Sequence, residues 1–401
     1  MNLQEVSLGN FMVSKGGSIN PKKYLDEKFE LYSIPAYDKG SPELIIGSNI
    51  GSSKKIVKPN DILLSRIVPH IRRAWVVEKH KGLRQIGSGE WIIFRGKDIH
   101  PNFLKYFLCS DNFHPKLMQT ISGVGGSLLR ARPSEVAKLK IPLPSLEMQK
   151  KIAAVLDRAD QLRQKRKKTI EKLEQLTQSI FLEMFGYPSI NPKQLPIVTI
   201  GDVTSQVKDG PHVSPKYSEK GVPILSTRNV RPSKLFLHEM KYVSKDTYAE
   251  LTKVFKPQKN DILLTKGGTT GYAKVVDFDW EFCVWVHLAV LRPLANINPL
   301  YLESALNSKY CYAQSQKYTH GIANRDLGLT RIKKIKLLLP AIEQQLIFAN
   351  KIKRINRFIQ IQVSSLDTYE NLFNSLLQKA FRGELSFNDR VFKKLEKEME
   401  A

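Results

Sequence analysis

The sequence is poor in cysteine and has no long apolar run. Its three cysteines, Cys109, Cys283 and Cys311, are odd in number, and none forms the Cys-x-x-Cys spacing of a structural zinc site. No stretch approaches the roughly 18 apolar residues that a membrane-spanning helix needs. The polar first ten residues do not resemble a secretory signal. We therefore expect a cytoplasmic protein without a disulfide framework, a zinc site or a membrane span.

Acidic residues are scarce relative to basic ones. The 401 residues include 63 Lys and Arg against 38 Asp and Glu, which gives a formal net charge of +25 at pH 7. A content of 42% hydrophobic residues is typical of a folded chain with a core. A polyanion is the partner that such a surface favours, because each Lys or Arg that meets a phosphate releases a condensed counterion. A basic surface without a specific role is the alternative.

Motifs that carry catalysis are missing from the sequence. Residues 267–271 are glycine-rich but lack the Lys-Ser/Thr pair of a phosphate-binding loop. Residues 298–301, Asn-Pro-Leu-Tyr, approach the Asn-Pro-Pro-Tyr of amino-methyltransferases, but their counterpart at 100–103 is His-Pro-Asn-Phe. Both are better explained as helix starts, where proline is tolerated. The eight histidines show no metal-ligand spacing. We expect no active site, no metal and no cofactor in this chain.

The sequence repeats itself over nearly its whole length. Asn-Asp-Ile-Leu-Leu occurs at 60–64 and again at 260–264. Pro-Ser-Leu-Glu-Met-Gln at 144–149 is matched by Pro-Ala-Ile-Glu-Gln-Gln at 340–345. The matches keep the same order and nearly the same spacing, which is the signature of a duplicated structural unit. The sequence therefore predicts two copies of one unit.

Each copy combines a β-rich part with a long helix. Short β-type runs between turn residues, such as 61–64, predict strands, and Pro101 and Pro299 mark short helices. After Pro144 and Pro340, apolar residues recur at steps of three and four, which predicts helices of about 40 residues and about 60 Å. We expect an α+β fold in which two β-rich domains are separated by two antiparallel coiled-coil helices with pseudo-two-fold symmetry.

The order and duplication of these motifs resemble the DNA specificity subunits of type I restriction-modification systems. The resemblance extends over roughly residues 1–385 and rests on the Pro-x-x-Glu-x-Gln helix starts, on the Asn-Asp-Ile-Leu-Leu runs and on Asp-Gly-Pro-His at 209–212. The first copy departs from the pattern, since Met148 stands where the second copy has Gln344 and no Asp-Gly-Pro-His is present.

The resemblance implies a division of the chain into five segments. The first target recognition domain would span 1–143, and the first spacer helix would span 144–186. The second target recognition domain would span 187–338 and the second spacer helix 339–385, before a charged tail at 386–401.

The resemblance also implies a function and a set of partners. Each recognition domain would read one half of a split, asymmetric site in double-stranded DNA. The helices would set the gap between the half-sites and dock two modification subunits, which would use S-adenosylmethionine to methylate adenine. Restriction subunits with ATP and Mg²⁺ would complete a bacterial assembly, and this chain would be its non-catalytic subunit. The alternatives are the recognition part of a fused or split DNA methyltransferase-endonuclease, and a protein-only adaptor.

Candidate DNA-contacting residues lie in the loops that follow the repeated strand and in neighbouring loops. These post-strand loops differ completely between the copies, as the reading of two different half-sites requires. Arginine pairs well with guanine, although most protein–DNA contacts go to phosphates. A basic run at 163–168 falls on the first long helix, where a solvated face is the simpler explanation. The candidates are Arg66, Arg72, Arg73, Arg130 and Arg132 in the first copy, and Lys208, His212, Arg228, Asn229, Lys266, Thr269, Thr270 and Arg325 in the second.

Overall fold

A computed structural model describes residues 4–14, 16–79, 82–123, 129–237, 240–322 and 324–385. The chain divides into two compact units: unit 1 comprises Met1–Lys167 and Ser364–Ala401, and unit 2 comprises Lys168–Val363. Unit 1 is therefore assembled from two separate stretches of sequence. The expected charged tail at 386–401 lies outside the described residues.

The β-rich part of unit 1 contains a three-stranded antiparallel sheet in the order β7-β6-β9 and a five-stranded mixed sheet in the order β2-β5-β8-β3-β4. Two short strand pairs, β1-β12 and β10-β11, complete it. Its strands are β1 (Gln4–Ser7), β2 (Ser18–Ile19), β3 (Lys28–Tyr32), β4 (Glu43–Ile46), β5 (Lys54–Ile56), β6 (Ile62–Ser65), β7 (Ala74–Val76), β8 (Arg84–Gly87), β9 (Trp91–Phe94), β10 (Ile121–Ser122), β11 (Arg130–Ala131) and β12 (Lys140–Leu143). The helices that begin in this unit are α1 (Ile34–Lys39), α2 (Pro101–Leu108), α3 (His114–Met118), α4 (Pro133–Lys138) and α5 (Leu146–Phe185).

The β-rich part of unit 2 contains an antiparallel sheet in the order β14-β23-β20-β21 and a mixed sheet in the order β15-β19-β16-β22. The pairs β13-β24 and β17-β18 accompany them. Its strands are β13 (Ile197–Thr199), β14 (Thr204–Asp209), β15 (Tyr217–Ser218), β16 (Val222–Leu225), β17 (Val230–Arg231), β18 (Lys234–Leu235), β19 (Lys241–Val243), β20 (Ile262–Thr265), β21 (Ala273–Val275), β22 (Cys283–Val284), β23 (Leu288–Pro293) and β24 (Lys336–Leu338). The helices that begin in this unit are α6 (Ile200–Val203), α7 (Lys245–Thr252), α8 (Pro299–Leu306), α9 (Lys309–Tyr318), α10 (Leu329–Ile332) and α11 (Ile342–Arg382).

The Asn-Asp pair that opens the repeated strand forms a tight turn. Asn60 has a φ of 68°, in the left-handed region that asparagine tolerates better than most residues. The next residue, Asp61, is fully buried, accepts a hydrogen bond from the backbone N–H of Lys58 at 2.8 Å and pairs with both Nε and Nη2 of Arg95 at 2.6 Å. Two-point pairs of this kind are strong and directional, so Asp61 fixes the start of β6 against the end of β9.

The second copy repeats this turn atom for atom. Asn260 has a φ of 72°, and buried Asp261 accepts from the backbone N–H of Gln258 at 2.9 Å. Its carboxylate contacts Nε and Nη2 of Arg292, both at 2.9 Å. The recurrent motif is thus a structural device that anchors the central strand of each unit, and the divergent loop begins directly after that strand.

Each long helix contributes one half to each unit. The helices α5 and α11 have 40 and 41 residues, as the apolar spacing predicted. In unit 1 the guanidinium of Arg163 lies 4.2 Å from the ring centre of Phe373, and Lys167 pairs with Glu370 at 3.0 Å, so the two segments run in opposite directions. The compact units therefore divide both long helices, because the two halves of each helix belong to different cores. The expected segment boundaries at 143, 186 and 338 stay predictions.

The apolar faces of the helix halves complete these cores. In unit 1, Ile152 and Leu156 of α5 share one buried cluster with Phe381 of α11 and Phe103 of α2. In unit 2 the corresponding cluster joins two phenylalanines of α5 to α11 and α8; it includes Phe181, Phe185, Phe348 and Tyr301. Burial of such side chains contributes about 1.5–3 kcal/mol each, so the helices stabilise the β-rich parts as well as connecting them.

Candidate nucleic-acid interface

In unit 1 the loop after β6 is held at the point where three chain segments meet. The backbone N–H of Arg66 donates to the carbonyl of Glu90 at 2.9 Å, and the backbone N–H of Ala131 donates to the carbonyl of Arg66 at 2.8 Å. The Glu90 carboxylate lies 3.3 Å from Nε of Arg66 and 3.2 Å from Nε of Arg130. We call Arg66, Glu90 and Arg130 the unit 1 junction.

In unit 2 the same backbone connections recur with different side chains. The backbone N–H of Lys266 donates to the carbonyl of His287 at 2.9 Å, and that of Leu327 donates to the carbonyl of Lys266 at 2.7 Å. The Lys266 ammonium lies 3.2 Å from Asp209 and 3.3 Å from Asp326. We call Lys266, His287 and Asp326 the unit 2 junction, with Asp209 as its additional acidic partner.

The remaining candidates of unit 1 make contacts away from this junction. Arg72 pairs with Asp111 at 2.6 Å, and Arg73 makes a two-point pair with Asp38 that leaves 10% of its side chain exposed. Arg132 is exposed, and its backbone precedes α4. Arg72 and Arg73 therefore hold the far end of the post-strand loop to neighbouring segments, while Arg132 offers a charge to solvent.

Three candidates of unit 2 have buried side chains with internal partners. The Lys266 side chain is only 7% exposed, and the Thr270 hydroxyl lies 2.9 Å from the hydroxyl of Thr319. Asn229 is buried and donates from Nδ2 to the carbonyl of Phe236 at 2.8 Å. Side chains enclosed in this way support the loops from within, and the expectation that these three residues contact DNA stays a prediction.

The other candidates of unit 2 are exposed. The His212 imidazole lies 3.6 Å from the Asp209 carboxylate and is 76% exposed. Thr269 and Arg325 are brought to one loop pair, since the backbone N–H of Gly268 donates to the carbonyl of Arg325 at 2.9 Å. The exposed candidates of this unit are Lys208, His212, Arg228, Thr269 and Arg325. Arg228 lies in the loop between β16 and β17.

Acidic residues at the junctions were missed from the sequence. Glu90, Asp209 and Asp326 hold the basic residues in place, but each comes from a chain segment far from its partner. A polyanion partner predicts basic contact residues, and in the sequence Asp209 stands out only as part of Asp-Gly-Pro-His. Divergence of the loops after the repeated strand was the signal that did find this region.

Metal-ligand clusters and membrane-spanning helices were both expected to be absent from this chain. No group of three His, Cys, Asp or Glu side chains there could hold a metal ion. Among the described helices none is both long enough and apolar enough to cross a membrane. The three cysteines are free thiols.

A family model for the type I restriction modification DNA specificity domain matches this chain twice, at residues 2–175 and 192–367. The chain belongs to that family. The two matches coincide with the two copies of the duplicated unit, and each includes a junction and the start of a long helix. This membership agrees with the resemblance drawn from the motifs.

Curated members of the family align with this chain at low identity. The EcoBI specificity subunit of Escherichia coli is 27% identical over 177 residues, which are 41% of this chain and 36% of that protein. The MjaVIII specificity subunit of Methanocaldococcus jannaschii is 23% identical over 63% of this chain and 64% of its own length. The chain thus spans less than two thirds of these two relatives. The EcoKI specificity subunit of E. coli K12 is 23% identical over 72% of this chain and 67% of that protein.

A solved structure shares the fold. The S subunit of a type I restriction-modification system from M. genitalium superposes with a TM-score of 0.58 at 15% identity and covers 97% of each chain. The mixed helix-and-strand architecture with two repeats is therefore that of a specificity subunit.

Proposed function

We propose that this chain is the sequence-reading subunit of a type I restriction-modification complex, in which unit 1 and unit 2 each read one half of a split, asymmetric DNA site. The observation that carries the proposal is the pair of junctions. The same backbone hydrogen bonds hold the two loops, while the side chains on those loops differ at nearly every position. A constant scaffold with divergent loops is what the reading of two unlike half-sites requires.

The proposed DNA contacts are exposed or partly exposed side chains at the junctions, in the post-strand loops and in neighbouring loops. Arginine can form paired hydrogen bonds with the O6 and N7 atoms of guanine, whereas lysine and threonine suit phosphates. The net charge of +25 supplies the sequence-independent part of the affinity. The proposed set is Arg66, Arg72, Arg73, Arg130 and Arg132 in unit 1, and Lys208, His212, Arg228, Thr269 and Arg325 in unit 2.

We propose further that α5 and α11 pair as an antiparallel coiled coil that sets the spacer length and docks two modification subunits. The helix lengths and the contacts between their halves within each unit support the pairing. Support for docking comes from α11, which leaves five large apolar side chains exposed: Leu346, Ile347, Phe358, Ile361 and Leu372. Exposed apolar residues on a helix that already contributes to a core are typical of a second, protein-facing surface.

The chemistry of the complex belongs, in this proposal, to its partners. Modification subunits would carry S-adenosylmethionine and methylate adenine, and restriction subunits would use ATP and Mg²⁺ for translocation and cleavage. The absence of methyltransferase and phosphate-loop motifs from the sequence supports a non-catalytic role. A cytoplasmic location remains a prediction of the same proposal.

The decisive experiment is co-expression of this chain with its modification subunits, followed by single-molecule mapping of methylated adenine in the host DNA. We expect methylation at one split, asymmetric motif, and we expect that methylation to disappear when this chain is omitted. Methylation that persists without the chain, or that never appears with active partners, would contradict the proposal and favour the protein-only adaptor.

A further inference from the structure

The two junctions place their charges at different positions of the same framework. Three backbone connections define the equivalent residues: Arg66 corresponds to Lys266, Glu90 to His287 and Arg130 to Asp326. In unit 1 the acid therefore sits on the segment before β9, between two cations. In unit 2 that position is a histidine, and the acid is Asp326, whose backbone pairs with that of His320.

The packing of unit 2 accounts for the new position of its acid. The ring of His287 lies so close to Gly267 that a Cβ on this glycine would be 2.2 Å from Nδ1 of the histidine. The segment before β23 thus meets the loop through an aromatic ring, and the neutralising carboxylates come from two other segments. Asp209 is 15% exposed and Asp326 is 46% exposed, and both reach the nearly buried ammonium of Lys266.

Both units therefore contain an acid–base pair at the junction, although the residues that form it differ between the units. We propose that it acts as a clamp, in which Glu90 and Lys266 are positioning residues that hold each post-strand loop in the conformation that reads its half-site. This inference rests on the proposed function and adds to it the residues that act on specificity without touching DNA. Lys266 is enclosed, so its effect must pass through the loops that carry Thr269 and Arg325.

Loss of the central member of either clamp, Glu90 or Lys266, removes the opposite charge that its two partners share. Without the carboxylate of Glu90, Arg66 and Arg130 lose the acid that they share. Without the ammonium of Lys266, Asp209 and Asp326 lose their common cation, although Asp326 keeps its pair with Arg331 at 3.1 Å. Removal of one partner from a poorly solvated pair is costly because the remaining charge stays desolvated. Since each clamp lies within one unit, its loss should act on one half-site only.

The test compares four variants of the full chain, co-expressed with its modification subunits and read by adenine methylation mapping. Lys266→Met removes the charge of unit 2 at similar side-chain length, and Lys266→Arg restores it with the residue type found in unit 1. Glu90→Gln removes the acid of unit 1. Glu27→Gln is the matched control, because Glu27 also pairs with an arginine of unit 1, Arg84, and has a similar exposure.

We expect Lys266→Met to reduce discrimination at one half-site by about tenfold, since a misplaced base contact costs about that much or more. Glu90→Gln should relax the other half-site, while Lys266→Arg and Glu27→Gln keep the wild-type motif. A purely structural role would lower the melting temperature and total methylation but relax both half-sites or neither, and that result would overturn the inference.

Two further outcomes separate this inference from the proposed function. If the wild-type chain directs no split motif, the proposed function itself fails. If Lys266→Met does not assemble with its partners, Glu90→Gln decides alone, because this pair is about 30% exposed and its loss is better tolerated. A motif unchanged in Glu90→Gln would then refute the clamp.

Discussion

At the scale of single residues, unit 2 contains a carboxyl group that unit 1 lacks. Glu303 on α8 is fully buried, accepts a hydrogen bond from the backbone N–H of Val275 at 3.1 Å and lies 3.9 Å from the ammonium of Lys274. Burial raises the pKa of Glu303 to about 7, and the nearby Lys274 opposes that rise only in part. The equivalent position of α2 is Lys105, so this titration belongs to unit 2 alone.

Replacement of Glu303 by glutamine should flatten the pH dependence of stability. Because the pKa is raised from 4.5 to about 7, the folded chain holds an extra proton in that window, and its free energy of unfolding falls as pH rises through it. Glutamine keeps the hydrogen-bond acceptor and cannot ionise. Between pH 5 and pH 8, the free energy of unfolding of Glu303→Gln should therefore rise by up to about 3 kcal/mol relative to that of the wild type. Urea unfolding at both pH values measures this. Glu281→Gln, which removes the acid of an exposed pair with Lys256, is the control. If the free energy of unfolding changed with pH to the same extent in wild type and Glu303→Gln, the expectation would be contradicted.

A second residue-scale prediction concerns Arg325, which is exposed and directly precedes Asp326 of the unit 2 junction. If its guanidinium reads a base, Arg325→Ala should lower discrimination at one half-site by about 1–3 kcal/mol. If it contacts a phosphate, the affinity should fall equally for all DNA sequences, and the slope of log affinity against log salt concentration should become shallower by about one. Competition binding of the assembled complex to wild-type and mismatched sites distinguishes the two. Lys259→Ala removes a charge at the opposite end of β20 and should change neither quantity. An Arg325→Ala complex with wild-type affinity and discrimination would remove this residue from the interface.

At the scale of elements, one glutamine ties each long helix to its β-rich part. Gln149 accepts from the backbone N–H of His100 at 2.8 Å and donates to the carbonyl of Pro144 at 2.9 Å. Gln345 does the same with Asn298 and Pro340, both at 2.8 Å. Both side chains are buried, so the glutamine of each Pro-x-x-Glu-x-Gln motif fixes the start of the long helix against the start of a short one.

Loss of this tie should destabilise the unit that contains it. Gln345→Ala leaves the partly buried N–H of Asn298 and the buried carbonyl of Pro340 without their partner, which we expect to cost about 2–4 kcal/mol. Thermal and urea unfolding measure the loss. Gln344→Ala, at the exposed neighbouring position of the same helix, should cost less than about 0.5 kcal/mol. Equal effects of the two substitutions would show that the tie contributes nothing.

Elements with a strong local signal were predictable, and contacts between distant segments were not. The apolar spacing after Pro144 and Pro340 predicted both long helices, because helical periodicity depends only on residues a few positions apart in the sequence. The duplication located the repeated strand and its divergent loop. Burial of Lys266 and Asn229 could not be predicted, since it depends on which loops fold over them, and neither could the pairing of Glu90 with Arg66 and Arg130. Basic residues in a loop look alike in sequence whether they face DNA or a carboxylate.

At the scale of the whole molecule, the excess of positive charge should govern affinity without deciding specificity. We expect the affinity of the assembled complex for DNA to fall steeply, by orders of magnitude, between 50 and 200 mM salt, while the ratio of specific to mismatched binding changes much less. Fluorescence anisotropy with two duplexes across a salt series measures both quantities. The same series on Glu27→Gln, which raises the net charge by one, serves as a control for small charge changes. An affinity insensitive to salt would contradict a DNA-reading role.

The division of each long helix between the units has a consequence for the order in which the chain matures. Unit 2 is one continuous stretch, Lys168–Val363, whereas unit 1 needs Ser364 onward to complete its core. During synthesis, the apolar side chains of Ile152 and Leu156 therefore stay exposed until Phe381 has been made and can pack against them. Unit 1 therefore begins to be synthesised first but can complete its core only after unit 2 has been made. We expect chaperones that bind exposed apolar surface on nascent chains to act on unit 1 more than on unit 2.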